Sequence, residues 1–288
     1  MSLSRKLGMK RSKRFHNILY HVLVCLFGFL MIYPLLWMVM SSFKESSSIF
    51  RESYRLIPDT IHFENYINGW KGFGGYTFGV FFSNSFLIAI IATIGAVFSS
   101  AIIAFGFARL HFRGQGFWFS CVMLTMMLPF QVIMIPQFLI FKQLGWVNTI
   151  LPLTVPYFFG QAFFIFQNMQ FIRGIPAELD EAARIDGCTY YGIFLRIILP
   201  LIKPSIVTTA IFSFMWRWDD FFGALLYLNS PAKYTLSIAL KMFSDPSSQS
   251  DWGSMFATSP LSIIPIFLIF LFFQKYLVEG ISTEGLKG

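Results

Sequence analysis

Charge is what this sequence has least of. Only 12% of its 288 residues are Asp, Glu, Lys or Arg, against 56% apolar, and the mean hydropathy is +0.63. A soluble 33.1 kDa globule needs more polar surface than that, so the expected class is a polytopic membrane protein. Cysteine is almost absent. Cys25 and Cys121 lie in apolar stretches and Cys188 in a polar one, which offers neither a disulfide framework nor a metal spacing. No GxxxxGK[ST], HExxH, CxxC pair, GxSxG or dinucleotide fingerprint occurs. No catalytic or metal-binding residue is therefore assigned, and any nucleotide has to be held by another chain. His16, His21, His62 and His111 are scattered, two of them near span ends, and are read as interfacial.

What the chain does have is long apolar runs. Hydropathy places spans near 17–42, 77–108, 117–141, 151–171, 204–228 and 258–278, each long enough for a ~30 Å hydrocarbon core at about 1.5 Å per residue. The second is long enough to begin as an interfacial helix over 76–82. The net charge of +8 calls for no nucleic acid, because six basic residues (Arg5, Lys6, Lys10, Arg11, Lys13, Arg14) directly precede the first span. They read as a cytoplasmic anchor. The apolar run from Val22 to Met40 exceeds a signal-peptide core and no small-x-small cleavage site follows, so the first span is expected to be retained. With both termini inside, the inner segments carry about twice as many Lys and Arg as the outer ones, which fixes the orientation. The resulting plan is a basic N-terminus at 1–16, a membrane domain at 17–278 containing a cytoplasmic loop at 172–203, and a tail at 279–288. The outer loops hold a glycine cluster (Gly69, Gly72, Gly74, Gly75) and a Ser-rich patch (Ser247, Ser248, Ser250), too short for an independent domain.

The loop at 172–203 is the most informative segment. Pro176 suits a first helical position, and Glu178, Asp180 and Glu181 sit where a helix N-terminus favours acids. Gly187 follows Asp186 as a left-handed stop. Tyr190 to Leu199 reads as a second short helix, ended by Pro200. Ala182 and Ala183, small and read as sharing one helix face, allow close approach by a partner surface, and Glu181 and Asp186 are placed to pair with partner cations or to cap backbone. A charged elbow between membrane spans suits force transmission to a soluble partner.

The order Glu181-Ala182-Ala183, Asp186-Gly187 and Pro200 resembles the EAA loop of ABC-importer permeases. Met127-Leu128-Pro129, Pro136, Gly145, Asn148-Thr149 and Phe221 after Trp218-Asp219-Asp220 are similar to the maltose-type carbohydrate permeases of the smaller, MalG-like kind. That family more often has asparagine where Asp219 stands. The tail from Gln274 to Gly280 and Gly285 to Gly288 also looks like that family's C-terminus. The resemblance implies an all-α type I ABC importer permease fold with six transmembrane helices in a bacterial or archaeal cell (inner) membrane. It implies docking of the loop into an ATPase cleft, through Glu178, Glu181, Ala182, Ala183, Asp186 and Gly187. It further implies a second, different permease subunit, two ATPase subunits, an extracytoplasmic solute-binding protein, and a sugar, foremost an oligosaccharide. ATP and Mg would be bound by the partner ATPase, with no cofactor in this chain.

Arg217, Asp219 and Asp220 are the costly residues of the membrane part, since an Arg or Asp at mid-span costs roughly 2.5–3.5 kcal/mol. Arg217 and Asp220 are spaced to pair on one helix face. Two readings stay open: a salt bridge that closes the bundle, or a polar belt along a substrate path. In the second, the carboxylates accept hydrogen bonds from sugar hydroxyls, and Trp216 or Trp218 stacks on a sugar face. Two aspartates beside one arginine favour a neutral or cationic substrate over an anion. Pro129 and Pro136, with Gln131 and Gln137, are expected to kink the third span. Asn84 and Gln161 are expected to face the interior, as helix–helix glue or as path lining. Alternatives of another class are an ABC permease for a polyol or glycerol phosphate, and an ion-coupled secondary transporter with Asp219 and Asp220 as ion sites.

Overall fold

A computed structural model describes residues 3–244 and 251–285, with side chains for 16–244 and 251–276. The expected Ser-rich patch, the last residues of the tail at 286–288 and the side chains of the basic head fall outside those described. Among the described residues there is no strand, only an isolated bridge between Phe73 and Tyr76. The rest is helix and turn: α1 (Leu3–Ser41), α2 (Glu64–Lys71), α3 (Phe78–Arg109), α4 (Gln115–Met127), α5 (Phe130–Gln143), α6 (Ala162–Arg173), α7 (Glu178–Ile185), α8 (Tyr190–Ile193), α9 (Leu199–Leu201), α10 (Lys203–Trp218), α11 (Phe222–Tyr227), α12 (Leu236–Phe243) and α13 (Trp252–Gly285).

Among the described residues three helices are long and apolar enough to cross a membrane: the part of α1 from His16 to Ser41, all of α3, and α13 from Trp252 to Tyr276. Two bent pairs raise the number to five, α4 with α5 at 104° and Tyr190–Leu201 with α10 at 77°. The predicted fourth span, 151–171, is not one helix. Pro152, Pro156 and Gly160 divide it into two 3-10 turns, Leu151–Leu153 and Val155–Phe159, before the 12 residues of α6. Each proline removes an amide donor, and Gly160 takes a positive φ of 93° that ends the turn. The second span, by contrast, is continuous from Phe78, without a separate interfacial start.

The chain forms two compact units, Met1–Trp70 with Phe243–Leu261, and Lys71–Met242 with Ser262–Gly288. In the first, the segment after α1 is pinned by buried polar groups. Asn65 donates to the carbonyls of Ser42 (2.8 Å) and Lys44 (2.7 Å), and the buried Lys44 ammonium donates to those of Glu52 and Arg55. These bonds satisfy a backbone that follows no regular ladder.

In the second unit α3 is the central post, packed by α6, α10 and the 3-10 segment. Its buried face is built from small residues, Ala89, Ala92, Gly95, Ala96, Ala101 and Ala104, which let neighbours approach closely. At Gly95 a methyl group would stand 2.5 Å from the Phe158 ring. Between α6 and α10 the fully buried Asn168 accepts from Ser205 Oγ (2.7 Å) and donates to Thr209 Oγ1 (3.3 Å).

Candidate functional site

The loop helix is where the sequence places it: α7 covers Glu178–Ile185, and Gly187 has φ +83°. Pro176 lies outside it, two residues before the first helical residue. Eight residues span only about 12 Å, too short to be helical alone, so α7 depends on what holds it. Arg109, the last residue of α3, does so: its Nε stands 2.6 Å from Asp180 Oδ2, with the two side chains 12% and 14% exposed. Arg109 Nη2 also donates to the carbonyl of Ile175 at 2.7 Å. Ala183 completes the attachment. It is turned inward, 7% exposed, into an apolar cluster with Ala104, Phe107, Ile172, Ile193 and Phe194. The expectation of Ala182 and Ala183 on one outward face is thus corrected, because adjacent helical residues diverge by about 100°. Glu178, Leu179, Glu181, Ala182, Asp186 and Gly187 are exposed, and Ile185 is 87% exposed. Apolar side chains so exposed beside acids present a mixed contact surface.

Thr189 caps the next turn by accepting from the amide of Gly192 (3.3 Å). Pro200 does not stop this helix. The backbone widens to a π turn over Phe194–Ile198, with the amide of Leu199 bonded to the carbonyl of Phe194, and continues to Leu201. The wider turn moves the preceding carbonyls off the proline ring, which a regular helix would strike. The chain breaks only at Ile202, before Lys203 opens α10.

A second candidate region is a cavity of about 630 Å³ between the end of α10, α11, the α4–α5 elbow and the 3-10 segment. Pro129 sits at the N-cap of α5, not in a helix interior, while Pro136 lies within α5. Asp219 and Asp220 are likewise not mid-helix. Asp219 terminates α10, and Asp220 Oδ1 accepts from the amide of Gly223 (2.9 Å) at the start of α11. Asp220 thus stands in a break of the span, where it serves as an acceptor for the helix start that follows. Asp220 Oδ2 is 3.4 Å from Arg217 Nη1, which also donates to Tyr157 Oη. The guanidinium lies over the Tyr157 ring, 4.5 Å from its centre.

Of the sequence-predicted path residues, Gln161 and Asp220 line this cavity, together with Arg217. Asn84 is committed elsewhere, donating to the carbonyls of Ala232 and Tyr234. Trp218 is 3% exposed, its indole nitrogen donating to the carbonyl of Ser262 among Phe82, Phe86 and Phe214, so its face is not open to a ligand. Trp216 stacks on Phe164 at 5.2 Å. Gln131 and Asp219 are exposed and do not line the cavity. Gln137, named from sequence with the kinked third span, also lines it and accepts from Tyr227 Oη at 3.4 Å, whereas Tyr157 and Tyr227 line it without having been singled out from sequence. Arg109 was missed as well. Its one signal is a cation that ends the otherwise uncharged α3.

Comparisons with known proteins match this architecture. Residues 96–283 match the family described as binding-protein-dependent transport system inner membrane component. A probable ABC transporter permease protein, YurM of Bacillus subtilis (strain 168), is 38% identical, covering 89% of this chain and 84% of that protein. The arabinooligosaccharides transport system permease protein AraQ of Halalkalibacterium halodurans is 35% identical, covering 91% and 93%. In fold, the chain is similar to one from the crystal structure of a bacterial ABC transporter involved in the import of the acidic polysaccharide alginate (TM-score 0.78, 24% identity, 92% of this chain and 98% of that one). This chain belongs to the family of binding-protein-dependent transport system inner membrane components and is a membrane permease of the ABC-transporter type.

Proposed function

We propose that this permease imports a carbohydrate, foremost a neutral oligosaccharide, and forms half of the path across the membrane. The observation that carries the substrate class is the 35% identity to an arabinooligosaccharide permease over nearly the whole of both chains. The cavity is consistent with a neutral ligand: Arg217 is matched by Asp220 within it, while Gln137, Gln161, Tyr157 and Tyr227 offer uncharged donors and acceptors beside aromatic faces.

In this reading the chain works with a second, different permease, two ATPase subunits that bind ATP and Mg, and an extracytoplasmic solute-binding protein. Both termini are cytoplasmic, and the 3-10 segment with α6 serves as the remaining crossing of a six-span domain. Closure of the ATPase pair moves α7, seated in the ATPase cleft by its exposed face at Glu178, Glu181, Ala182, Asp186 and Gly187, and the cavity alternates between the two sides. Such coupling requires ligand and nucleotide each to favour one global state. This chain performs no covalent chemistry.

The test is affinity capture of the tagged chain from its native membrane, with mass spectrometry of what accompanies it. A second permease, a P-loop ATPase and a solute-binding protein that retains neutral oligosaccharides support the reading. Capture of the chain alone, with ion-gradient-driven uptake by the purified protein, refutes it.

A further inference from the structure

We propose that Arg109 is the positioning residue that makes α7 and α3 move as one body, so that displacement of α7 reaches the membrane helices undiminished. The inference rests on the coupling role of α7 proposed above. Three observations carry it. The Arg109–Asp180 pair is short and nearly buried, at 2.6 Å with 12% and 14% exposure. The same guanidinium holds the carbonyl of Ile175, just ahead of α7, at 2.7 Å. Ala183, one turn beyond Asp180, packs into the cluster that includes Ala104 and Phe107 of α3.

The clasp joins unequal elements. On one side is an eight-residue helix with little stability of its own; on the other is a 32-residue post about 48 Å long. Near the far end of that post, Asn84 grips the carbonyls of Ala232 and Tyr234. A push on the exposed face of α7 thus has a rigid route along α3 as far as 84. Arginine is required for geometric reasons. Its guanidinium lies against the carboxylate in ion contact at Nε while Nη2 donates to the carbonyl of Ile175, whereas a lysine ammonium is a single point that cannot reach both in those positions. Arg109→Lys therefore keeps the charge and loses the clasp.

The experiment uses the assembled importer with spin labels at two exposed positions, Arg184 on α7 and Phe98 on α3. Their distance distribution is measured by pulsed electron resonance, without nucleotide and after trapping with ATP and vanadate. ATP hydrolysis is measured in parallel, with binding protein loaded from a mixture of arabino- and malto-oligosaccharides. Wild type is expected to keep one narrow distance in both states. Arg109→Lys is expected to broaden it and to lower the stimulated hydrolysis about five- to tenfold, with melting temperature and ATPase subunits per permease unchanged. A narrow distance in Arg109→Lys overturns the proposal, and so does a loss of melting temperature that tracks every other loss. Glu181→Ala separates this from failure of the coupling role itself. If Glu181→Ala lowers stimulation while Arg109→Lys does not, only the clasp is refuted; if neither does, the coupling role of α7 falls.

Discussion

Asn148 is the non-glycine residue with positive φ among those described, at +60°. Its side chain ties two loops of the second unit together: Oδ1 accepts from the amides of Asn229 (3.1 Å) and Ser230 (3.2 Å), and Nδ2 donates to Ser230 Oγ (2.8 Å). Its backbone is held independently, the amide by the carbonyl of Tyr227 and the carbonyl by the Lys233 ammonium. Replacing the side chain therefore tests the three side-chain bonds and the left-handed backbone separately. Each partly buried bond contributes about 1 kcal/mol net, and a left-handed Ala costs roughly 1 kcal/mol more than a Gly. Asn148→Asp, which keeps the acceptor and the backbone preference but loses the donor, should cost about 1 kcal/mol. Asn148→Gly should cost about 3 kcal/mol and Asn148→Ala about 4 kcal/mol by the same count. At about 2–4 °C per kcal/mol for a chain of this size, the ladder spans roughly 10 °C. Melting of the purified permease is followed by tryptophan fluorescence, for which nearby Trp146 is a reporter. If Asn148→Gly is no better than Asn148→Ala, the backbone argument fails. If Asn148→Asp is as damaging as Asn148→Ala, the amide hydrogen bonds are not what matters.

Three further outcomes are expected. Gly95→Ala should lower the melting temperature by an overpacking cost of about 1–3 kcal/mol, and adding Phe158→Ala should recover part of it, since the clash is with that ring. Asn168→Leu should cost about 1 kcal/mol, two interhelical bonds at roughly 0.6 kcal/mol each; an unchanged melting curve would show that Ser205 and Thr209 find other partners at no cost. Asp219→Ala should leave the melting temperature unchanged, because its carboxylate has no partner among the described residues. Asp220→Ala should lower it by about 2 kcal/mol through loss of the Gly223 cap and the Arg217 pair. Equal effects of the two changes would refute the assignment.

Much of the fold was legible because its signals are local. The bounds of α3 follow from one uninterrupted apolar run, and α7 with Gly187 follows from acids at its start and a glycine at its end. Proline positions were legible but their consequences were not. Pro129 sits at a 104° elbow, Pro200 inside a continuing helix, and Pro152 and Pro156 in 3-10 turns. The same residue gives three outcomes because neighbouring packing decides which backbone group is left unpaired. Side-chain roles at long range were least legible. Arg109 meets its partner 71 positions away, and Trp218 carries the composition of a sugar platform yet is enclosed by Phe82, Phe86 and Phe214. For the cavity, the sequence marked the costly charges but not Tyr157, which lies beneath the guanidinium.

The π turn at Phe194–Ile198 holds one residue more than a regular turn would. It is therefore a place where chain length has slack. A single-codon deletion within it would be absorbed by reversion to an α turn, leaving the faces of the following turns in their old order, provided Pro200 is also changed so that its ring does not strike a carbonyl. The same deletion inside α3 would turn every later side chain by about 100° and expose the alanine face. Length variation among chains of this fold is thus expected to collect at this turn, in step with the presence or absence of a proline at 200.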